Sequence, residues 1–305
     1  MADAAALSYR REMDIGRIGI WTFALDQQPA ARSKEVAAEL EELGYGALWV
    51  PEAVGREAIA NAGLLLSATS SMVVATGIAN IWMRHPMAAS AGWRTLNEAY
   101  DGRFLMGLGV SHAPSVGRML GETWDKPLAR MRAYLDGMDE ALFFAAQPAV
   151  PPSRVLAALG PKMLDLARER ALCAHPYFVP VEHTAFARER LGTGPLLAPE
   201  QAVVLETDPS TAREIERSHM AGYLRLPNYA NNLIRMGFTE EELADGGTDR
   251  VVDAIVAWGD LDTVVERVRA HHEAGADHVC IQVIEADQRA LPLDAWRRLA
   301  EALID

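Results

Sequence analysis

The sequence predicts an α/β protein, a (β/α)8 TIM barrel, and three observations support that fold class. Short apolar runs alternate with amphipathic helical stretches from near the start of the chain to its end. The runs are continuously apolar rather than alternating with polar residues, which is typical of parallel strands buried on both faces. The length of 305 residues suits such a barrel, which takes about 250 residues plus insertions.

The strands and helices follow one another in a regular order. Eight strands are expected at 17–22, 46–50, 71–80, 103–109, 154–159, 171–178, 201–206 and 278–284. The first helical stretch, 29–43, carries apolar residues at helical spacing and ends at Gly44, where a C-terminal glycine is favoured. Thr239 with Glu242, and Thr263 with Glu266, fit capping boxes at two later helix starts.

The chain is predicted to form a single domain over 1–305, with a helical insertion between strands seven and eight. The stretch of about 208–260 is too long for one helix, so we expect an inserted pair at about 209–227 and 229–245. A doubly wound open sheet is the alternative fold. The first strand is not followed by the G-x-G-x-x-G that this fold would place there, so the barrel is favoured.

Composition limits the partners and the compartment. Twenty-nine basic residues against 42 acidic ones give a formal net charge of −13, which argues against a nucleic-acid partner because phosphate binding needs a basic face. Cys173 and Cys280 form no metal or disulfide pattern, which favours a reducing cytoplasm. No apolar run reaches 18 residues, so a cytoplasmic protein without a membrane anchor is expected. Apolar helix faces near 128–144 make a homodimer possible.

Candidate site residues come from the carboxyl ends of the strands, where barrels of this type carry their active sites. These ends supply glycines, aromatic side chains and few titratable groups. They contain no nucleophile elbow, no HExxH and no carboxylates at metal spacing, so no metal is expected and a hydrolase has little support. A large planar cofactor suits them better. The candidates on the first six strands include Trp21, Glu52, Gly77, Ile78, Asn80, Gly109, His112 and Tyr177.

A phosphate site is predicted where strand five runs into the next helix. Gly160 allows close approach to the backbone, and Pro161 suits the first helical position. Free N–H groups of that first turn, with Lys162 beside them, can bind an anion. An unliganded helix start with a solvent-exposed lysine is the alternative.

Two side chains are candidates for proton transfer. His112 is the first titratable group after the glycine-rich end of strand four, and an imidazole of ordinary pKa, about 6.5, can exchange a proton at neutral pH. The alternative is a loop histidine that only forms hydrogen bonds. Glu52 follows strand two and either contacts a cofactor ring or pairs with Arg56 or Arg84. His85, just before Pro86, is expected to cap the following helix.

Four segments resemble the bacterial-luciferase-like flavin and deazaflavin oxidoreductases. Residues 101–109 (DGRFLMGLG) are similar to the family's "GRF-x-LGLG" strand, and 77–86 (GIANIWMRHP) resembles the third strand of its deazaflavin branch. Segments 43–50 and 275–279 match the approaches to strands two and eight. The resemblance runs from about residue 16 to 304, is weakest across 208–260, and is nearest to actinobacterial F420-dependent oxidoreductases.

The resemblance implies a site for coenzyme F420, with FMN as the alternative cofactor. It implies a cis peptide without proline at Gly77–Ile78, behind the cofactor ring. It also implies that Gly160 to Met163 meet the phosphate of the cofactor and that Pro176 lines the same channel. Some relatives have an acid followed by His after strand two, whereas this chain has Glu52 and Ala53. The implied cofactor-binding residues are Glu52, Gly77, Ile78, Asn80, Gly107, Gly109, His112, Gly160, Pro161, Lys162, Met163, Pro176 and Tyr177.

The function expected from these observations is hydride transfer between coenzyme F420 and a small organic substrate. His112 is the expected proton-transfer residue, and Glu52 is the alternative. Two other functions stay open: an FMN-dependent monooxygenase, and a non-catalytic flavin-binding barrel that the missing histidine after strand two would permit.

Overall fold

Parallel strands form a closed barrel in the computed structural model, which describes residues 13–287 and 289–304. The strand order around the sheet is β10-β9-β11-β1-β2-β3-β5-β6-β7-β8, with β4 paired to β5. The strands of the described residues are β1 Ile18–Trp21, β2 Ala47–Val50, β3 Val73–Thr76, β4 Ala79–Asn80, β5 Phe104–Gly109, β6 Arg154–Leu156, β7 Cys173–Ala174, β8 Leu196–Leu197, β9 Glu200–Val204, β10 Val256–Trp258 and β11 Val279–Val283.

The ring closes through the segment that carries β8 and β9. β8 pairs with β7, and β9 pairs with β11. Between them, the Ala198 N–H donates to the Ala174 carbonyl on one side, and the Pro199 carbonyl accepts from Cys280 on the other. β3 with β4, and β8 with β9, therefore each act as one side of an eight-sided barrel.

Helices cover the outside of the ring. The first, Ala30–Glu42, buries Val36, Ala37 and Leu40 against the strands, and a fully buried Val or Leu side chain stabilises the fold by about 1.5–3 kcal/mol. As expected, Nδ1 of His85 accepts the Met87 N–H and caps its helix. The other outer helices are Ala58–Leu66, Pro86–Ala99, Pro127–Asp139, Pro161–Arg170, Val181–Leu191, Leu261–Glu273 and Leu293–Leu303.

The stretch between β9 and β11 holds more than a helical pair. Within residues 208–260, the two longer helices are Pro209–Leu224 and Pro227–Arg235, followed by Glu240–Leu243 and Asp249–Ile255. The insertion was expected to be purely helical, and this expectation is wrong. Val256–Trp258 (VAW) is a short apolar run that forms the strand β10 and pairs with β9.

Of the two predicted capping boxes, one is present in the structure and one is not. Thr239 and Glu242 form the predicted capping box. The box at Thr263 is wrong, because the helix begins at Leu261 and Asp260 accepts the Thr263 N–H.

Strand three is split where the peptide Gly77–Ile78 is cis, as predicted from the resemblance. β3 and β4 lie on either side of this bulge and both pair with β5. At the break, the Thr76 hydroxyl donates to the Gly107 carbonyl at 2.7 Å and accepts from the Gly107 N–H at 2.8 Å. This side chain replaces the ladder hydrogen bonds that the bulge removes.

The barrel interior is filled with side chains. Trp49, Leu105 and Val155 are buried there together with Cys173 and Cys280, and both cysteines are free. Among the described residues, no helix has the length and apolar character needed to cross a membrane.

Candidate active site

A cavity of about 280 Å³ opens at the carboxyl ends of the strands. Its floor comes from β1, from the bulge of strand three and from the end of β7, and its walls come from the loops above. The helices between β9 and β11 contribute its outer side. The lining residues are Trp21, Phe23, Pro51, Glu52, Ala53, Val54, Gly77, Ile78, Asn80, Met83, Ser111, His112, Ser115, Met119, Leu120, Ala157, His175, Tyr177, Tyr223, Leu226 and Tyr229.

The bulge at Gly77–Ile78 forms one face of this cavity. Nε1 of Trp21 donates to the Gly77 carbonyl at 2.7 Å. A Cβ added at Gly77 would lie 2.7 Å from that same nitrogen, and one added at Gly109 would overlap the side chain of Ile78. Glycine is therefore required at 77 to admit Trp21 and at 109 to seat Ile78.

His175 lies under the bulge as a neutral ring. Its Nδ1 is 2.7 Å from the Ala198 carbonyl, which can only accept, so Nδ1 is the protonated nitrogen. The ring stacks on Trp49 with centroids 4.6 Å apart. Burial lowers the pKa of His175 to about 4, so the imidazole carries no charge at neutral pH.

The carboxylate of Glu52 is already bound by other groups of the protein. One carboxylate oxygen accepts from the Asn80 N–H at 2.7 Å and the other from the Ala58 N–H at 3.1 Å. The guanidinium of Arg84 forms an ion pair with the same carboxylate and a second one, at 2.7 Å, with Glu57. The predicted pairing with Arg84 is thus present, and Glu52 ties strand two to the segment just after the bulge.

His112 also lines the cavity, and the insertion supplies its partner. Its Nδ1 is 2.9 Å from Oδ1 of Asn228, and its ring centroid is 5.4 Å from that of Tyr229. Burial lowers the pKa of His112 below its ordinary value, while the hydrogen bond to Asn228 opposes that shift. A carbonyl oxygen only accepts, so Nδ1 donates and Nε2 of the neutral ring retains a lone pair.

The tyrosines that line the cavity, Tyr177, Tyr223 and Tyr229, were only partly predicted. Tyr177 was a candidate, and its hydroxyl lies 3.0 Å from that of Tyr223 and 2.9 Å from Oε1 of Gln282. Tyr223, Tyr229 and Asn228 were missed because they lie in the stretch where the family resemblance is weakest. The available signal was two tyrosines within seven residues of an otherwise polar helical stretch.

The predicted phosphate segment lies outside the lining of this cavity. The helix Pro161–Arg170 begins after Gly160, which makes no side-chain cap. A Cβ added at Gly160 would meet no described atom within 4 Å, and Lys162 is exposed. Met163 and Pro176 also lie outside the lining, and Gly107 and Gly109 are buried in β5.

Fold and cavity together define a class of enzyme. The described residues contain no group of three His, Cys, Asp or Glu side chains placed to hold a metal ion. The model of the family described as luciferase-like monooxygenase matches residues 17–278. The chain belongs to that family and is an oxidoreductase.

The names of similar proteins mention two cofactors, F420 and FMN. The "Putative coenzyme F420-dependent oxidoreductase Rv3520c" of Mycobacterium tuberculosis is 24% identical, covering 89% of this chain and 95% of its own length. An F420-dependent secondary alcohol dehydrogenase, solved with an F420–acetone adduct, has a TM-score of 0.73 at 17% identity over 94% of this chain and 98% of its own. The oxygenating constituent of 3,6-diketocamphane monooxygenase from Pseudomonas putida, solved with FMN, has a TM-score of 0.65 at 16% identity over 93% and 96%.

Proposed function

We propose that this protein transfers a hydride between coenzyme F420 and a small organic substrate. The observation that carries the proposal is the cavity itself, which is lined both by the Gly77–Ile78 bulge and by His112. The full-length similarity to a relative named as F420-dependent supports the choice of cofactor.

The residues present suit a flat ring. Gly77 has no side chain, Ile78 offers an apolar surface, and the aromatic side chains of Trp21 and Tyr177 line the same cavity. Gly77, Ile78 and Asn80 would hold the ring, and Gly160 to Met163 would bind the phosphate through the uncapped helix start and Lys162. When bound, F420 supplies a carbon centre that accepts or gives up a hydride.

The protein's own chemistry in this proposal is proton transfer. His112 would exchange a proton with the substrate oxygen through Nε2, because Nδ1 is engaged by Asn228. Glu52 would act as a positioning residue, since both carboxylate oxygens already bind N–H groups that shape the loop after the bulge. Some relatives have His at the position of Ala53. Because alanine cannot transfer a proton, this role falls to His112, which follows β5.

The decisive experiment is a parallel titration of the purified protein with F420, FMN and FAD. We expect F420 to bind at least tenfold more tightly than FMN. Comparable or tighter FMN binding would transfer the protein to the flavin branch of the family.

An FMN-dependent monooxygenase is the second candidate, favoured by the fold similarity to an enzyme solved with FMN. Oxygen separates the two functions. With reduced FMN, the candidate monooxygenase would consume oxygen in step with substrate, whereas the proposed F420 enzyme would turn over equally well under nitrogen.

A further inference from the structure

The mouth of the cavity is ringed by apolar side chains. Four of the eight large apolar side chains that are exposed in the described residues line this one cavity, and they come from three different loops and one helical turn: Phe23, Val54, Met83 and Met119. Leu120 and Leu226 extend the same surface inward. Exposed apolar groups gathered at an opening mark a binding surface, whereas scattered ones are ordinary.

The lining offers no charge to a substrate. Glu52 is the single charged side chain among the described lining residues, and it is already bound by Arg84 and two N–H groups. Within residues 13–287 and 289–304, no Lys or Arg side chain lines the cavity. An anionic group on the substrate would enter without a counter-ion, and burying an unpaired charge is costly.

We propose that the substrate is an uncharged molecule with an extended apolar group, an alkyl chain or fused hydrocarbon ring, which packs against Phe23, Val54, Met83 and Met119. Its polar, reacting end lies deeper, between Ile78 and His112. The two methionines suit such a group because their flexible thioether chains adapt to different shapes. This inference rests on the proposed function for the identity of the reacting end, but the apolar surface is observed independently of any cofactor.

The test uses methyl alkyl ketones from butanone to decanone, titrated calorimetrically into the protein without cofactor. Each methylene that packs on the rim is expected to lower the dissociation constant roughly three- to fourfold. A ketone of matched length with a terminal carboxylate is expected to bind at least tenfold more weakly than its neutral counterpart. Equal affinity along the series, a preference for the carboxylate, or no binding by any ketone overturns the inference.

Variants of the rim residues test whether the apolar chain of the ketone packs at the mouth of the cavity. Val54 is 83% exposed and Met119 is also exposed, so Val54→Glu and Met119→Glu leave the core intact. Each is expected to weaken decanone binding at least tenfold and to change butanone binding less than threefold. Phe144→Glu is the matched control, because Phe144 is 92% exposed and does not line the cavity. If Phe144→Glu has the same effect as the rim variants, the inference is wrong.

These measurements are separable from the cofactor titration. A protein that binds decanone through the rim but fails to bind F420 refutes the proposed function and leaves the apolar substrate site standing. A protein that binds F420 but shows no chain-length dependence refutes the apolar substrate site and leaves the proposed function standing.

Discussion

Nδ1 of His112, after β5, lies 2.9 Å from Oδ1 of Asn228, 116 positions further along the chain. The contact joins the barrel to the helix Pro227–Arg235. It selects the tautomer of the imidazole, because an amide oxygen accepts only from a protonated nitrogen. The proton-transfer atom proposed for this enzyme is therefore set by a residue outside the eight βα units.

Asn228 is predicted to control the pKa of His112. Its hydrogen bond raises that pKa against the effect of burial, so Asn228→Ala should lower the pKa further and Asn228→Asp, which adds a negative charge, should raise it. The wild-type value should fall between the two. Histidine-selective ¹⁵N NMR titration of the cofactor-free protein measures all three, and identical titration curves would show that the contact does not form in solution.

His112→Ala is predicted to separate binding from chemistry. F420 affinity should stay within about threefold of wild type, while single-turnover hydride transfer should fall roughly 100-fold or more, since a positioned acid–base group contributes about 10²–10⁴-fold. Stopped-flow recording of cofactor oxidation provides the rate. A variant that transfers hydride at the wild-type rate would remove His112 from the mechanism.

Lys162→Glu is predicted to weaken F420 binding about 10- to 100-fold at low salt. The change places a like charge beside the proposed phosphate position at the start of the helix Pro161–Arg170, and added salt should shrink the loss by screening. Lys34→Glu, on the helix Ala30–Glu42, reverses the same charge away from the site and should leave binding unchanged. Equal dissociation constants for Lys162→Glu and wild type at low salt would exclude this segment from the site.

Glu52 and Glu57 offer a matched pair for stability. Both carboxylates pair with Arg84, but their side chains are 2% and 50% exposed respectively. Glu52→Gln should lower the free energy of unfolding by about 2–4 kcal/mol, because it leaves a buried guanidinium without its inner partner. Glu57→Gln should cost about 1 kcal/mol or less. Urea denaturation of both variants provides the comparison, and equal losses would contradict the assignment of Glu52 as a structural anchor.

The barrel was predictable because its strands carry the apolar pattern of a doubly buried parallel sheet. The position of the bulge was predictable only through the resemblance, since nothing in the local pattern of residues 71–80 separates Gly77–Ile78 from a continuous strand. β10 was missed for a different reason. Three residues are too few to show a period, and Val256–Trp258 forms a strand because β9 offers it a pairing edge.

The candidate site was predictable on the strand ends and not across the insertion. Glu52, Ile78, Asn80 and His112 follow directly from the rule that barrel sites lie at carboxyl ends. Asn228 could not be found in this way, because its role depends on how a helical pair folds back over the mouth. The pairing of Glu52 with Arg84 rather than Arg56 was likewise open until the loop geometry was known.

The cavity is divided by origin, and this suggests how it can be re-engineered. The floor around Gly77 and Ile78 belongs to the barrel, while Tyr223 and Tyr229 come from two helices outside it and Leu226 from the turn between those helices. Randomising 226–229, with Asn228 held constant and with Tyr223 kept as the hydrogen-bond partner of Tyr177, would vary the outer wall without touching the hydrogen bonds of the floor. Laboratory evolution toward new substrates can therefore begin in this short segment and leave the half that receives the cofactor unaltered.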